Sequence, residues 1–359
     1  MAEHRFIVST YTEPITDSCI TWQSPSNIAL VKYWGKYGEQ MPMNPSISFT
    51  LSNCNTKTTL SFEKIQPTGN FNFEVFLNGK REESFEPKIY RFFERVEVYL
   101  PFLKEYRFKI ETSNSFPHSS GIASSASGMS ALALCLMDME QQMQPAITEE
   151  YFMQKASFLA RLGSGSACRS IEGPLVVWGA DEKIDESSNL FGTRYPFFVH
   201  DNFKNYQDTI LLVDKGEKQV SSSVGHDLMH DHSYAEQRFR QARENISKLI
   251  PIFKNGDLSA FIKVVESEAL SLHSMMMTSI PYFILMKPNT LEIINRIWQY
   301  RAETGSMICF TLDAGANVHV LFPEVEKVSI SKFIAKELSQ FCKNGEYIED
   351  NIGLGAMKL

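Results

Sequence analysis

The spacing of hydrophobic and polar positions changes along the chain, and the changes mark out elements. Thr58 to Phe62 alternates, as does Phe71-Asn72-Phe73-Glu74-Val75-Phe76-Leu77 ahead of the turn signal Asn78-Gly79, so both read as strands. Ile89, Phe92, Phe93 and Val96 fall on one face at helical spacing, which predicts a helix over Pro87 to Tyr99, stopped before Pro101. Arg107 to Thr112 returns to strand character and leads into a run of small residues, Ser119-Ser120-Gly121-Ile122-Ala123-Ser124-Ser125-Ala126-Ser127-Gly128. An Ala/Met/Leu-rich helix is expected from Met129 to Met139. A second helical pattern, Glu149 to Leu162, ends in another small-residue run, Gly163-Ser164-Gly165-Ser166-Ala167-Cys168-Arg169-Ser170, and Pro174 to Trp178 follows as a strand of the buried type.

Periodicity is lost between Glu182 and Gln207, and a chain of 359 residues is too long for one ordinary core, so a domain boundary is expected near residue 207. This divides the chain into 1–207 and 208–359. The second part opens with a strand at Thr209 to Val213. It continues with helices at Tyr234 to Ile250, Leu258 to His273, Leu291 to Thr304 and Ile330 to Phe341, and a strand pair at Ile308 to Leu312 and Val318 to Phe322. Both halves mix strands and helices in the α+β manner.

Composition narrows the partners. Hydrophobic residues at 43% and charged residues at 21% describe an ordinary globular chain. A net charge of −7 argues against nucleic acid or an anionic membrane as the main partner, since those need clustered Lys and Arg. Six cysteines lie far apart with no metal spacing, as structural thiols of a reducing compartment do. No apolar run approaches the ~18 residues of a membrane span, and Met1 to Arg5 lacks the apolar core of a signal peptide, so a cytoplasmic location is expected.

The small-residue runs carry the first candidate chemistry. Small side chains let backbone N–H groups approach anionic oxygens, and a helix N-terminus adds unpaired donors and partial positive charge. The second run brings its own guanidinium, Arg169, suited to paired hydrogen bonds with a carboxylate or phosphate. Two such loops suggest two anionic ligands. In Asn27-Ile28-Ala29-Leu30-Val31-Lys32-Tyr33-Trp34-Gly35-Lys36, cations sit four apart beside two aromatics, either as surface lysines flanking a buried Trp or as ligand contacts. Asp313, in Thr311-Leu312-Asp313-Ala314-Gly315, is either a turn residue bonding its own backbone or, if buried beside Lys32, a catalytic carboxylate. His226, His230 and His232 resemble a metal run, but they lack the glutamate and helical setting of HExxH and are expected in a solvated loop. Met275 to Met277 are expected to pack a helix end, and Cys168 to fill space.

Asn27 to Lys36, Phe116 to Ala126, Arg161 to Ser170 and Asp313-Ala314-Gly315 together resemble the signature segments of the diphosphomevalonate decarboxylase family, in the superfamily of galactokinase, homoserine kinase, mevalonate kinase and phosphomevalonate kinase (the GHMP kinases). The segments stand in family order over about residues 20 to 325. The resemblance implies a two-domain α+β fold of the GHMP kinase type, with a ribosomal protein S5 domain 2-like N-terminal domain and a ferredoxin-like C-terminal one. It also implies ATP and Mg2+ as requirements, a homodimer, and ATP-dependent conversion of 5-diphosphomevalonate to isopentenyl diphosphate through phosphorylation of the 3-hydroxyl. Within that reading Asp313, Lys32 and Arg169 are catalytic. Asn27, Tyr33, Lys36, Lys88, Ser164, Ser166, Ser222 and Ser223 contact substrate. Ser119, Ser120, Gly121, Ala123, Ser124 and Ser125 hold nucleotide phosphates, with Ser124 on Mg2+. Some family members carry Arg at the position of Ser223, and His118-Ser119-Ser120 is more polar than is common in the family loop. The alternative is a relative that decarboxylates 5-phosphomevalonate or stops after phosphorylation at the 3-hydroxyl.

Overall fold

The computed structural model describes residues 2–8, 10–15, 18–117, 122, 124–214 and 222–359. Strands β1 (Cys19–Val31), β2 (Lys36–Tyr37), β3 (Met41–Pro42), β4 (Ser46–Lys64), β5 (Asn72–Leu77), β6 (Lys80–Arg81), β7 (Tyr106–Asn114), β8 (Leu175–Trp178) and β9 (Thr193–Arg194) share the first half with helices α1 (Glu86–Val96), α2 (Ser124–Met143) and α3 (Glu149–Gly163). The second half holds β10 (Gln207–Leu211), α4 (Ser222–Asp227), α5 (Ala235–Asn255), α6 (Leu258–Met277), α7 (Pro288–Thr304), β11 (Cys309–Thr311), β12 (Val318–Phe322), α8 (Lys327–Phe333), β13 (Tyr347–Asn351) and β14 (Met357–Lys358).

The long strand β4 organises the first sheet. Its N-terminal part pairs with β8 and its C-terminal part with β7, while β1 runs antiparallel along most of its length, and the path reads β14-β1-β4-β7-β5-β6. Pairing of β1 with β4 shifts register between Pro25 and Asn27, where proline cannot donate to the ladder. The second sheet is antiparallel, in the order β11-β12-β10-β13. The chain's last strand returns to the first sheet, with Trp22 opposite Lys358.

Helix α2 begins at Ser124, not near Met129 as expected. Serine and glycine read as loop formers, yet here they pack: the Ser127 hydroxyl meets Thr56 Oγ1 at 2.7 Å, and Ser130 Oγ donates to the Ala126 carbonyl at 2.5 Å. Tertiary burial overrides weak propensity. The helix is buried almost all round against the sheet, as its continuous apolar sequence requires. Helix α3 starts with Thr148 accepting the Tyr151 N–H at 3.2 Å, and α6 starts with Asp257 accepting that of Ala260 at 3.0 Å. The helix expected over Ile330 to Phe341 instead starts at Lys327 and leaves α-geometry after Phe333, through a π turn and a 3-10 turn.

One hydrophobic core lies inside the first half, between its sheet and α1, α2 and α3. A second crosses between the halves, joining Ile28, Leu30, Phe49 and Leu51 of the first sheet to Phe253, Phe261 and Leu321. Because β1 runs through this shared core, the residue that follows it emerges where the halves meet.

Candidate active site

That residue is Lys32. Its ammonium lies 2.9 Å from Asp313 Oδ1, across a sequence separation of 281 residues. The lysine is 2% exposed, whereas the Asp313 side chain is 33% exposed, so the carboxylate reaches the surface of the site and its cation lies behind it. Burial pulls Lys32 below the usual ammonium range, while Asp313 and Glu268 pull it back up and Arg169 opposes them. The Lys32 peptide is fixed on both sides: its N–H donates to Glu268 Oε2 at 2.9 Å, and its carbonyl accepts from Asn44 Nδ2 at 2.9 Å. Asp313 stands in the turn between β11 and β12, its carbonyl 3.1 Å from His273 Nε2. Burial lowers the His273 pKa to about 4, so the ring is neutral and its Nε2–H donates.

Arg169 closes a second side. The run expected as a loop forms a 3-10 turn, Gly165–Ser170, that buries this guanidinium. Its Nη1 donates to Ser46 Oγ at 2.5 Å, its Nε to Asn27 Oδ1 at 3.4 Å, and the Trp178 ring centre lies 5.7 Å away. Asn27 is itself held, donating to the Ser166 carbonyl at 3.2 Å and to Ser170 Oγ at 2.8 Å. The Tyr33 ring packs between Trp178 and His226, at 4.6 and 4.2 Å, and its buried hydroxyl has no hydrogen-bond partner among the described residues. A Cβ at Gly165 would fall 2.9 Å from that hydroxyl, so glycine is what lets Tyr33 approach the turn.

A third group gathers where α1, α2 and α3 meet. Lys88 Nζ bonds Ser125 Oγ, and Ser125 Oγ donates to Ser164 Oγ at 3.2 Å. Ser124 opens α2, so the first-turn N–H groups suit phosphate oxygens, and its hydroxyl oxygen suits a hard cation that keeps most of its ligands from phosphate and water. No cluster of three His, Cys, Asp or Glu among the described residues forms a ready metal site. Ser119, Ser120, Gly121 and Ala123 lie outside the described residues. Ser222 and Ser223 open α4, and their side chains lie outside the description too. Lys36 approaches Asp227 of the same helix at 3.5 Å.

The histidine run departs from expectation. His226 and His232 are buried, not solvated. His226 Nδ1 accepts the Gly35 N–H at 3.0 Å, its ring packs on Tyr33 and Trp34, and burial lowers its pKa to about 3. Gly35 adopts φ 97°, and a Cβ there would press on Met43 and Phe239 at 3.1 Å. An alternation of His and Asp reads as polar in sequence, but a neutral imidazole is an aromatic ring and packs as one. Met275 and Met276 do pack the end of α6, whereas Met277, expected to pack there too, is exposed; Cys168 is a buried thiol raised to about 12 by burial.

Ser46, Asn44, Glu268, Arg238 and His273 escaped the sequence reading. Only Glu268 left a signal, a carboxylate on the apolar stripe Phe261, Val265, Leu272 of an amphipathic helix.

Known proteins resemble both halves of the chain. Residues 24–190 match the diphosphomevalonate decarboxylase-like N-terminal domain, and residues 209–353 match the mevalonate 5-diphosphate decarboxylase C-terminal domain. The chain belongs to the diphosphomevalonate decarboxylase family. Among curated relatives, the diphosphomevalonate decarboxylase of Aspergillus fumigatus is 29% identical over 322 residues, covering 85% of this chain and 76% of the relative. Among solved structures, the mevalonate diphosphate decarboxylase of Staphylococcus aureus superposes with a TM-score of 0.80 at 26% identity, covering 95% of this chain and 98% of that one. A structure described as MDDEF in complex with MVAPP, AMPPCP and magnesium gives a TM-score of 0.80 at 28% identity, covering 95% and 99%. Family membership thus spans both halves, and Lys32, Arg169 and Asp313 fall within the matched segments.

Proposed function

We propose that the chain catalyses ATP-dependent decarboxylation of (R)-5-diphosphomevalonate to isopentenyl diphosphate, with ADP, phosphate and CO2 as the other products. The observation that carries this reading is the buried Lys32 against the half-open Asp313, with the guanidinium of Arg169 fixed on the neighbouring wall. In this reading Asp313 orients the tertiary 3-hydroxyl and takes its proton as the oxygen attacks the γ-phosphorus of ATP. Lys32 holds Asp313 ionised and stabilises negative charge growing on the transferred group. Arg169 clamps the substrate carboxylate opposite the departing phosphate, so the electrons of the breaking C–C bond flow to a carbocation-like C3 as phosphate leaves. The substrate has no carbonyl to accept those electrons, which is why the hydroxyl must first become a leaving group.

Asn27, Tyr33, Lys36, Ser164, Ser166, Ser222 and Ser223 are assigned to the substrate, and Lys88 to its diphosphate. Ser119, Ser120, Gly121, Ala123, Ser124 and Ser125 are assigned to nucleotide phosphates. Mg2+ would be held by Ser124 together with phosphate oxygens, and it supplies charge neutralisation on the phosphates. The unpartnered Tyr33 hydroxyl supports a polar ligand at that wall. Residues 1–207 and 208–359 serve as the two domains of a cytoplasmic homodimer. No helix among the described residues is long and apolar enough to cross a membrane.

Release of ADP and CO2 is to be followed with Mg2+-ATP and either 5-diphosphomevalonate or 5-phosphomevalonate. Equal ADP and CO2 from the diphosphate alone is the expected result. ADP without CO2, or preference for the monophosphate, would transfer the chain to a 3-kinase or a monophosphate decarboxylase.

A further inference from the structure

Beneath Lys32 lies a buried carboxylate with four donors. Glu268 Oε2 accepts the Lys32 N–H at 2.9 Å and bonds Arg238 Nη2, while its Oε1 accepts Arg238 Nη1 at 3.0 Å and Asn245 Nδ2 at 2.7 Å. Glu268 and Arg238 are essentially inaccessible to solvent and stand on neighbouring helices, α6 and α5, of the second half. Arg238 Nη2 also approaches the Lys32 carbonyl at 3.4 Å. A second-half ion pair thus grips the peptide group of a first-half lysine.

Such a pair is costly to bury, and an apolar pair of similar volume would join α5 to α6 as well. What an apolar pair could not do is accept the Lys32 N–H, which points away from any strand partner just after β1 ends. The carboxylate also sets charge. Around Lys32 stand Asp313 in the β11–β12 turn, Glu268 and His273 on α6, Arg238 on α5, Arg169 in the 3-10 turn and Asp208 on β10. Losing Glu268 would leave Arg238 unbalanced beside an already desolvated ammonium.

We propose that Glu268, clamped by Arg238 and Asn245, is a positioning residue that holds the Lys32 peptide so that its ammonium meets Asp313. This rests on the catalytic reading of Lys32. Full-length Glu268→Gln, Asn245→Ala and Lys32→Met are compared by melting temperature, binding of AMPPCP and the pH profile of kcat. Glu268→Gln is expected to lower kcat by about tenfold or more and to keep AMPPCP binding within about threefold. It should also move the alkaline limb of kcat about one unit to lower pH, because the charged ammonium loses a favourable carboxylate. An unmoved limb, with kcat reduced only by the unfolded fraction, overturns the proposal and leaves Glu268 as a tie between helices. If Glu268→Gln does not fold, Asn245→Ala decides, since it keeps the charge and removes one orienting donor. There a kcat lowered about fivefold or more at near-native melting temperature supports the proposal, and kcat within about twofold overturns it. Wild-type turnover in Lys32→Met would instead overturn the reading on which the proposal rests. Lost turnover there, beside an unmoved Glu268→Gln profile, overturns the positioning role alone.

Discussion

Lys155 and Glu140 meet at 2.6 Å between α3 and α2 with both side chains 0% exposed, whereas Lys32 and Asp313 meet at 2.9 Å with one third of the carboxylate side chain open. The first pair is closed upon itself. Lys155 also donates to the Tyr99 carbonyl at 3.0 Å, Tyr11 donates to Glu140 at 3.4 Å, and burial drives the carboxyl up and the ammonium down. The second pair is built from residues at opposite ends of the chain, with its lysine deep and its carboxylate facing outward. The same two chemical groups therefore serve packing where both are sealed. In the proposed reading they serve chemistry where the carboxylate is one third exposed and the ammonium is held behind it.

Mutation should separate the two pairs. Lys32→Met is expected to lower kcat by about 10²–10³-fold with little change in melting temperature, as removal of a charge-stabilising group does. Near-normal turnover would make the open pair as passive as the sealed one. Lys155→Met strands a buried carboxylate and should cost about 3–5 kcal/mol of stability, read by urea denaturation, with activity per folded molecule unchanged. A specific loss of kcat there would erase the contrast.

Acid sharpens it further, because two buried imidazoles flank the open pair's surroundings. In the unfolded chain these histidines bind protons near their ordinary pKa, 6.5, but in the native state only at about 3 for His226 and about 4 for His273. The unfolded state holds more protons in that window, so stability is complete above pH 6.5 and falls as the pH drops towards those native values. The slope is at most about 1.4 kcal/mol per pH unit for each ring. Protonated His226 would set N–H against the Gly35 N–H, so His226→Phe should flatten the slope, and an unchanged slope would discount this group. The smallest effect is expected from Ser46→Ala, which removes one acceptor for Arg169 and should raise the substrate KM by about three- to tenfold. No change would mean that Asn27 and Trp178 suffice to hold the guanidinium.

Periodicity located most elements because the strands and amphipathic helices keep one face to a core. It failed at the start of α2, where a Ser/Gly run is helical and packs against β4 and the 3-10 turn, and after Phe333, where the helix changes hydrogen-bond pattern. Of the site, Lys32, Arg169 and Asp313 were legible as segments, but the distance joining the first to the last is a property of the shared core that no local pattern encodes. Asn44 precedes and Ser46 opens a long strand, and nothing in their spacing distinguishes them. His226 misled because sequence polarity does not tell a neutral, stacked imidazole from a charged one.

In the proposed mechanism Asp313, backed by Lys32, starts the reaction. The most direct measurement is single-turnover formation of ADP and CO2 by Asp313→Asn, beside an isotherm for 5-diphosphomevalonate. Substrate should still bind with similar affinity while ADP and CO2 fall together by about 10³-fold or more. ADP formed at the wild-type rate, with or without CO2, would contradict it.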